Sequence, residues 1–445
     1  MRSAPSASST VRKSSLTDGE GKMESVEEPP PSFKTGKNRT LFSLYLAYFA
    51  DYFSWGAAIA FLAIYILGDG SPFQHLPWNR HVALGIAIAC YPIGDVLGSP
   101  ILGDLSDLIG RRNVLLWGIV GSIASLLLCA AGLYIGSMTL LLVGQFLAGF
   151  FGGKQGMAQA AIAEVDSGTK GQKLAFLSVL GGIAWIGGPY FGGLLLGENF
   201  VSYGGYIWPS ILAVGVFGVT LIFTYFFFQE TYHPSTDKLD TRQFIRNIGQ
   251  LFSVAVHEKV FFFFLLNLLG WYLLVVSLSY FLIERFHLTD PQVGYMNSYL
   301  ALCFTLSGIL GTAWLLHRFR AKKILFWAQL VGAIGLFGLF GSEKMAELWI
   351  YLALPAITEA VIYPAYQTLL SDQANGSSQG KIFGLVNASN GACQFLSGLI
   401  LGYIPSNLVG GSIFIAALLF LGSAFFLPKS IRRKWVNHSP VHRPN

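Results

Sequence analysis

The chain has 445 residues, of which 53% are hydrophobic and only 12% are charged. Soluble proteins carry about a quarter charged residues, so this composition excludes an ordinary soluble domain and predicts a protein that lies within a membrane. The 29 Lys and Arg residues give a net charge of +6, but their placement follows from membrane topology, as described below, so no nucleic-acid partner is predicted.

The chain begins with a segment unlike the rest. Residues 1–38 are rich in Ser, Pro, Lys and Glu and contain no apolar run long enough for a cleavable signal. Such a composition cannot bury enough apolar surface to fold. The sequence therefore predicts a disordered cytoplasmic tail.

Apolar runs follow at regular intervals. A helix that spans a bilayer needs about 20 mostly apolar residues. Twelve runs of this kind are predicted, near 40–67, 80–102, 112–136, 138–164, 172–196, 205–229, 258–284, 292–317, 322–341, 346–371, 380–404 and 409–428. The sequence thus predicts an all-α polytopic membrane protein with twelve transmembrane helices in two pseudo-symmetric six-helix halves. The predicted segments are an N-terminal half (39–229), a cytoplasmic hinge loop (230–257), a C-terminal half (258–428) and a cytoplasmic C-tail (429–445).

Two short segments of the first half recur in the second half. Residues 164–173 resemble residues 372–381, and residues 112–117 resemble residues 322–327, at nearly the same spacing. Parallel repeats of this kind are typical of transporters. With the amino terminus inside, 25 of the 29 Lys and Arg residues fall in the cytoplasmic tails and loops. The positive-inside rule therefore predicts that both termini are cytoplasmic.

A Gly-rich, charged motif lies between the second and third runs, with Gly103, Asp107, Gly110, Arg111 and Arg112. Its glycines predict a tight turn, and its Asp is predicted to cap or favour the start of the next helix. The motif resembles the loop 2–3 signature G-x-L-a-D-r-x-G-r-r of the major facilitator superfamily. In that family the signature latches the two halves in one state of the transport cycle. The resemblance assigns this latch to Gly103, Asp107, Gly110, Arg111 and Arg112.

The fifth run contains a second motif. Pro189 lies inside the run, between Gly188 and the pair Gly192 and Gly193. Proline permits a bend, and glycine permits close helix packing. The motif resembles the G-x-x-x-G-P-x-x-G-G signature of the drug/proton antiporter branch of this superfamily, although Ala184 replaces the first Gly of that signature. A packing motif common to any closely packed helix pair is the alternative reading.

The resemblance extends to the tenth run and fails in the fourth. Residues 363–371 resemble the P-A-x-Q-x-L-x-S segment of the tetracycline efflux proteins within this branch. The antiporters also carry an arginine in helix 4 that is linked to proton transfer. Gln145 occupies its place here, so the resemblance does not by itself imply proton antiport.

Four ionisable residues interrupt the apolar runs. A charged side chain in the hydrocarbon core costs at least about 2.5–3.5 kcal/mol, so each is a candidate functional residue. Asp51, Asp95 and Lys154 lie roughly 12–16 Å from the cytoplasmic ends of their helices. In the superfamily, helices 1, 4, 7 and 10 line the central cavity, which implies that Asp51, Lys154, Glu359 and Asn267 share one space. We predict that Lys154 replaces the missing arginine, with Asp51 or Asp95 as its partner; a static buried ion pair is the alternative.

These features predict a secondary transporter for a small solute, without enzymatic activity and without a cofactor or metal site. The predicted function is proton-coupled efflux of an amphipathic drug or metabolite. The alternatives are uptake of a metabolite, amino acid, nucleoside or iron chelate and, from another class, a transporter-like sensor or scaffold. We expect small-molecule substrate, protons and the lipid bilayer as partners, and a monomer in a bacterial inner membrane.

Overall fold

A computed structural model of the chain describes residues 31–68, 71–77, 79–165, 170–196, 205–230, 259–372, 379–404, 408 and 410–425. Every regular element within these ranges is helical. Most of the predicted N-terminal tail (residues 1–30), the predicted hinge loop from residue 231 onward and the predicted C-tail lie outside the described residues.

The first set of helices precedes the predicted hinge loop. It comprises α1 (Pro31–Leu67), α2 (Arg80–Ile109), α3 (Arg111–Ile135), α4 (Met138–Gly152), α5 (Lys154–Val165), α6 (Lys170–Leu195) and α7 (Trp208–Phe227). Local sequence explains several helix ends. The Asn79 side chain accepts a hydrogen bond from the backbone N–H of His81 at the start of α2, and Gly136 ends α3 with φ of 72°.

The second set of helices follows the hinge loop. It comprises α8 (Lys259–Phe286), α9 (Asp290–Ser307), a π-helical turn (Gly308–Thr312), α10 (Ala313–Arg318), α11 (Ala321–Gly341), α12 (Met345–Asp372), α13 (Gln379–Tyr403) and α14 (Gly411–Phe425). The π turn connects α9 to α10 within one continuous helical run, Asp290–Arg318. At the start of α9, the backbone N–H of Thr289 donates to Gln292 Oε1 over 2.9 Å.

In the described ranges, nine helical runs are long and apolar enough to cross a membrane. Large apolar side chains cover their outer faces; Trp117, Ile222, Phe226 and Leu310 are each more than half exposed. Contiguous exposed apolar surface on this scale is suited to lipid rather than water. The prediction of a multi-pass, all-helical membrane protein agrees with this architecture.

Two predicted boundaries differ from the structure. The second run was predicted to end near residue 102, but α2 continues to Ile109, so the turn before α3 is Gly110 alone, with φ of 95°. The fourth run is not one regular helix, because α4 ends at Gly152 and α5 begins at Lys154. Gly153 lies at this break, and a Cβ atom there would overlap the backbone of Ser99 in α2. Close packing against α2 therefore accompanies the break.

Helix packing follows the same scheme in both sets. In the first set, α1 packs against α6 and α7, α3 against α4 and α7, and α2 against α4. In the second set, α8 packs against α13 and α14, α11 against α12 and α14, and α9 against α12. The two sets meet mainly where α2 packs on α13 and where α6 packs on α9.

The backbones of the two sets are in contact at one end of the bundle, here called the Arg80 end because α2 begins there. A Cβ atom on Gly85 of α2 would lie 2.6 Å from the backbone oxygen of Gly398 in α13. Between α6 and α9, a Cβ atom on Gly294 would lie 3.0 Å from Gly193 Cα. Only glycine permits such close approach of two backbones, so the bundle is tightly closed at this end.

Candidate functional site

A buried lysine forms the polar centre of the first set. Lys154 is fully buried and donates three hydrogen bonds, to Asp51 Oδ1 over 2.6 Å, to Ser122 Oγ over 2.8 Å and to the Phe151 carbonyl over 3.0 Å. Its ammonium also lies 5.0 Å from the centre of the Phe217 ring. Each of the three N–H groups of the ammonium therefore has an acceptor.

Small residues in α3 make room for this lysine. A Cβ atom on Gly118 would lie 2.8 Å from Lys154 Cδ, and one on Gly121 would overlap the Phe151 ring. The methylene stem of Lys154 thus packs against the α3 backbone while its ammonium reaches Ser122 on α3. The break at Gly153 makes Lys154 the first residue of α5.

The structure selects Asp51 as the partner of Lys154. Asp51 is 5% exposed and forms the ion pair from α1. Asp95, on α2, instead accepts a hydrogen bond from Ser99 Oγ over 2.9 Å. A Cβ atom on Gly149 of α4 would lie 3.0 Å from the backbone nitrogen of Asp95. Asp95 therefore lies at the contact between α2 and α4, beside the ion pair but outside it.

The second set has its own buried polar pair. Asn267 on α8 donates through Nδ2 to Glu359 Oε2 on α12 over 2.8 Å. Both side chains are buried, at 0% and 1% exposure. The amide oxygen, Asn267 Oδ1, has no hydrogen-bond partner among the residues that the structure describes. The structure thus brings these two predicted residues together, separately from the Asp51–Lys154 pair.

Further polar contacts join the helices of the second set. Asn390 on α13 accepts from the Tyr272 hydroxyl over 3.2 Å and donates to Tyr363 Oη over 3.0 Å. Gln329 on α11 donates to Tyr366 Oη on α12 over 2.7 Å. Asn390 and Gln329 were not singled out from the sequence, because neutral amides in apolar runs are common and only the fold shows which of them meet a partner.

An aromatic cluster connects the two sets. Trp185 on α6 lies between Trp55 on α1, at 5.8 Å, and Trp271 on α8, at 6.2 Å between ring centres. Phe304 on α9 stacks on Trp271 at 5.7 Å and contacts Trp185 edge-on at 5.5 Å. These distances are typical of favourable aromatic pairs. The cluster supplies flat apolar surface at the junction of four helices.

Two small cavities adjoin this cluster, and Gln145 lines both of them. Trp55 and Tyr91 also line both cavities, and Gln394 of α13 lines the one between the two sets. The residue in the place of the antiporter arginine thus faces enclosed space with polar groups from both sets. Among the described residues, no cluster of His, Cys, Asp or Glu side chains is suited to a metal ion.

The residues of the predicted latch lie at the end of the bundle opposite the Arg80 end. Asp107 lies in the last turn of α2 and pairs with Arg111 Nη1 over 2.9 Å. Of the two roles predicted for Asp107, the cap is wrong, because α2 continues through it. Its ion pair with Arg111 still places a carboxylate beside the start of α3. Arg111 also donates to Ser106, and Arg112 donates to the Tyr225 carbonyl over 2.7 Å.

Glu230, which follows α7, performs the capping that the sequence analysis assigned to Asp107. Its two carboxylate oxygens accept hydrogen bonds from the backbone N–H groups of Arg111 and Arg112, over 2.9 and 3.0 Å. A carboxylate is favourable at a helix N-terminus. Gly110 leaves the space for it, since a Cβ atom there would lie 2.5 Å from Glu230 Oε2. Glu230 and Gly110 are far apart in sequence, so no local pattern predicts this contact.

The motif in α6 lies at two helix contacts. Gly188 packs against α1, where a Cβ atom would overlap the Phe53 carbonyl. Gly192 packs against Phe61 of α1, where a Cβ atom would lie 2.7 Å from the ring. Pro189 lies within α6, and its carbonyl oxygen would lie 2.5 Å from a Cβ atom on Gly294 of α9. Together with the contact between Gly193 and Gly294 described above, these contacts place the motif between α1 of the first set and α9 of the second set.

Known proteins share this sequence pattern and this fold. The sequence profile of the Major Facilitator Superfamily matches residues 44–266 and 260–442. Tetracycline resistance protein class C of Escherichia coli is 24% identical over 352 residues, covering 77% of this chain and 84% of that protein. The proton-coupled folate transporter of Bos taurus is 26% identical over 376 residues, covering 77% of each chain.

A solved structure agrees at the level of the fold. The human organic anion transporter superimposes with a TM-score of 0.64 and 18% identity, covering 90% of this chain and 100% of that chain. Since the family profile spans nearly all of the chain after residue 43, this chain belongs to the major facilitator superfamily of transporters, and it resembles the tetracycline-efflux proteins of that family.

Proposed function

We propose that this chain is a secondary active transporter that exports an amphipathic drug or metabolite in exchange for protons. It works by alternating access between two six-helix halves, twelve transmembrane helices in all, with residues 39–229 and 258–428 as the halves and 230–257 as the hinge loop. The repeated packing scheme of the two helix sets supports this division. Tetracycline resistance proteins among its relatives support the direction of transport.

The observation that carries the proposal is a pair of buried polar centres, one in each set. Asp51 and Lys154 join α1 to α5, and Asn267 and Glu359 join α8 to α12. In the two packing schemes α8 occupies the place of α1, and α12 occupies the place of α4 and α5 together, since α5 contacts α1, α2, α3 and α6 as α12 contacts α8, α9, α11 and α13. Buried ionisable groups are costly unless paired. Groups that exchange a partner or a proton between states couple transport to the proton gradient, and Asp95 belongs to the same coupling set.

We further propose a role for each motif in the conformational cycle. Gly103, Asp107, Gly110, Arg111 and Arg112 form a latch between the halves. In the present arrangement the hydrogen bonds and ion pairs of Arg111 and Arg112 given above are all made within the first set. The α6 motif, Gly188, Pro189, Gly192 and Gly193, supports sliding of α6 against α9.

The distribution of basic residues supports cytoplasmic termini, with the Arg80 end facing away from the cytoplasm. The tetracycline resistance relatives support a bacterial inner membrane, and we propose that the transporter acts as a monomer there.

Proton-coupled uptake of a polar metabolite is the second candidate. It is favoured by Gln145, which lines both cavities in place of the antiporter arginine, and by the folate transporter among the relatives. The two candidates differ in the direction in which protons move relative to substrate.

The test measures lumenal pH in proteoliposomes with an acidic interior and a pH-sensitive dye inside. Tetracycline and a panel of amphipathic cations are added outside. Antiport predicts a rise in lumenal pH on addition of substrate, because protons leave as substrate enters. Glu359→Gln and Lys154→Gln should abolish the rise. Gly215→Ala is the matched control, because no described residue lies within 4 Å of a Cβ atom at that position on α7.

A lumenal pH that does not respond to any of these compounds would contradict efflux. Protons that instead accompany an added folate in the same direction would establish the uptake candidate. Both results leave membership of the superfamily unaffected.

A further inference from the structure

The two buried polar centres differ in how completely their hydrogen bonds are satisfied. Lys154 has an acceptor for each of its three N–H groups, and Asp51 supplies its countercharge. In the described part of the chain, Glu359 has neither a cationic partner nor any hydrogen-bond donor besides Asn267. The first centre is a neutralised ion pair, whereas the second is an acidic group without a countercharge.

An ionised Glu359 would be costly in this environment. The side chain is 1% exposed, and its partner Asn267 is fully buried. Isolated carboxylates in apolar surroundings become neutral rather than remain charged. The unpartnered Asn267 Oδ1 adds to the cost, because a buried acceptor without a donor loses its hydration and gains nothing in return.

A single proton removes the cost of the buried charge. With the amide oriented as it is, a protonated Glu359 is neutral and still accepts the Nδ2–H bond at Oε2. If the amide is turned over, Oδ1 lies 2.8 Å from Glu359 Oε2, a distance at which two oxygens require a proton between them. Both orientations of the amide therefore call for a protonated carboxyl group.

We propose that Glu359 and Asn267 form a proton-binding site. In the orientation given above, Asn267 Nδ2–H donates to Oε2, and the proton resides on the other carboxyl oxygen, Oε1. On release the proton moves from Oε1 to water and leaves a carboxylate that retains only the Nδ2–H bond. Because both side chains are sealed from solvent here, release requires α8 and α12 to separate. The use of this proton in transport rests on the proposed function; its presence on Glu359 does not.

The described residues around the site supply no competing charge. Tyr363 and Tyr366, on the same helix, and Tyr272, on α8, are near enough to interact electrostatically with Glu359. Cys393 of α13 donates to the Leu265 carbonyl on α8. Phenols and thiols are ordinarily neutral at neutral pH, so the proton on Glu359 is not replaced by a neighbouring cation.

Infrared difference spectroscopy of the full-length chain in lipid nanodiscs tests the proposal. A protonated carboxyl group has a C=O stretching band that lies above the amide region and shifts in heavy water. At neutral pH we expect one such band to be lost in Glu359→Gln, a variant that keeps the shape of the site and a hydrogen bond to Asn267. Asn267→Leu should shift the same band, since its hydrogen bonds change. Glu343→Gln, at an exposed carboxylate between α11 and α12, is the control and should retain it.

A neutral-pH spectrum of Glu359→Gln that matches the parent chain in this region would overturn the proposal, as would a carboxylate band assigned to Glu359. The spectrum does not depend on flux. If the band is present but no compound moves protons in proteoliposomes, the proton site stands and the transport proposal falls. If flux is coupled to protons but the band is missing, the proton site falls.

Discussion

Lys154 places a full positive charge in the interior of a helix bundle, where its energy depends on a small number of contacts. Its hydrogen bonds come from α1, α3 and the end of α4, so three helices converge on one ammonium group. Removing either member of a buried ion pair leaves the other charge without compensation, which is more costly than removing both. This asymmetry makes the pair testable by stability alone.

Replacement of Lys154 by Gln should lower the free energy of unfolding by about 3–5 kcal/mol, because Asp51 is then buried without a countercharge. The measurement is the melting temperature of the purified chain in detergent. The double variant Asp51→Asn/Lys154→Gln is the matched control and should recover a large part of the loss. Equal melting temperatures for the single variant and the parent would contradict a tightly paired centre.

At this scale the sequence predicted individual residues better than their contacts. The depth of Asp51 and Lys154 along their helices indicated that they could meet, and the structure brings them to 2.6 Å. The sequence did not distinguish Asp51 from Asp95 as the partner of Lys154, because both lie at similar depth in the membrane. Ser122 was not predicted, since a serine in an apolar helix has no distinctive pattern until its neighbours are known.

Helices α2 and α4 pack at a distance that only glycine allows. A Cβ atom on Gly98 would overlap the backbone oxygen of Phe150. The overlap is with backbone, which cannot move aside without displacing a helix. On α7, by contrast, no atom of the part of the chain that the structure describes lies within 4 Å of a Cβ atom at Gly215. The same chemical change therefore has opposite consequences at the two positions.

Gly98→Ala should destabilise the chain by about 1–3 kcal/mol through overpacking, whereas Gly215→Ala should be neutral or slightly stabilising, because alanine favours the helix. Both are measured as melting temperature and as the yield of monodisperse protein by size-exclusion chromatography. Similar behaviour of the two variants would show that the α2–α4 contact is looser than described.

The start of α3 depends on a carboxylate from the end of α7. Glu230→Ala removes the acceptor of the N–H groups of Arg111 and Arg112, and loss of such a cap costs about 1 kcal/mol. We expect a correspondingly lower melting temperature. Gln229→Ala is the neighbouring control, because it is the backbone N–H of Gln229 that donates to Thr40, and this bond survives the substitution. A control variant as destabilised as Glu230→Ala would argue against a specific cap.

Helices were predictable as elements because apolar runs of the required length are long and unambiguous. Their irregularities were not. The extension of α2 to Ile109 replaces a predicted turn, since Gly103, which suggested that turn, lies inside the helix. The π turn at Gly308–Thr312 has no distinctive sequence signal. It lies beside α12, and the Thr312 hydroxyl donates to the Ala360 carbonyl of that helix over 3.0 Å.

The two helix sets meet along α2–α13 and α6–α9, and alternating access requires these contacts to change at one end of the bundle. Tyr190 on α6 and Tyr295 on α9 have ring centres 5.5 Å apart, and the Ser298 hydroxyl donates to the Ile186 carbonyl over 2.9 Å. These are contacts between sets that must break if the Arg80 end opens.

Cross-linking across this contact should therefore stop transport. The four native cysteines are first replaced by serine. The cysteines introduced by Tyr190→Cys and Tyr295→Cys are then joined by a short thiol-reactive cross-linker that contains a reducible disulfide. Flux in proteoliposomes should fall to background and return after reduction. Phe337→Cys/Phe414→Cys, whose parent rings lie 5.7 Å apart within the second set, is the control pair and should keep its flux when linked. Full flux with the α6–α9 link intact would exclude separation of these helices.

At the scale of the whole molecule, the internal repeat and the placement of basic residues predicted a duplicated, membrane-embedded architecture, and the packing scheme has the same duplication. The sequence could not predict which end of the bundle is closed. That property depends on backbone approaches such as Gly85 with Gly398, which appear only when two distant glycines face each other.

The aromatic cluster between the two sets also gives the chain an optical property. Trp185 and Trp271 belong to different sets, with ring centres 6.2 Å apart and planes inclined by 80°. At this separation the electronic transitions of two indoles couple, and the coupling weakens steeply as the rings move apart. Circular dichroism in the ultraviolet should therefore contain an exciton signal that Trp271→Phe removes. The unlabelled transporter thus reports the separation of its own halves through the light it absorbs.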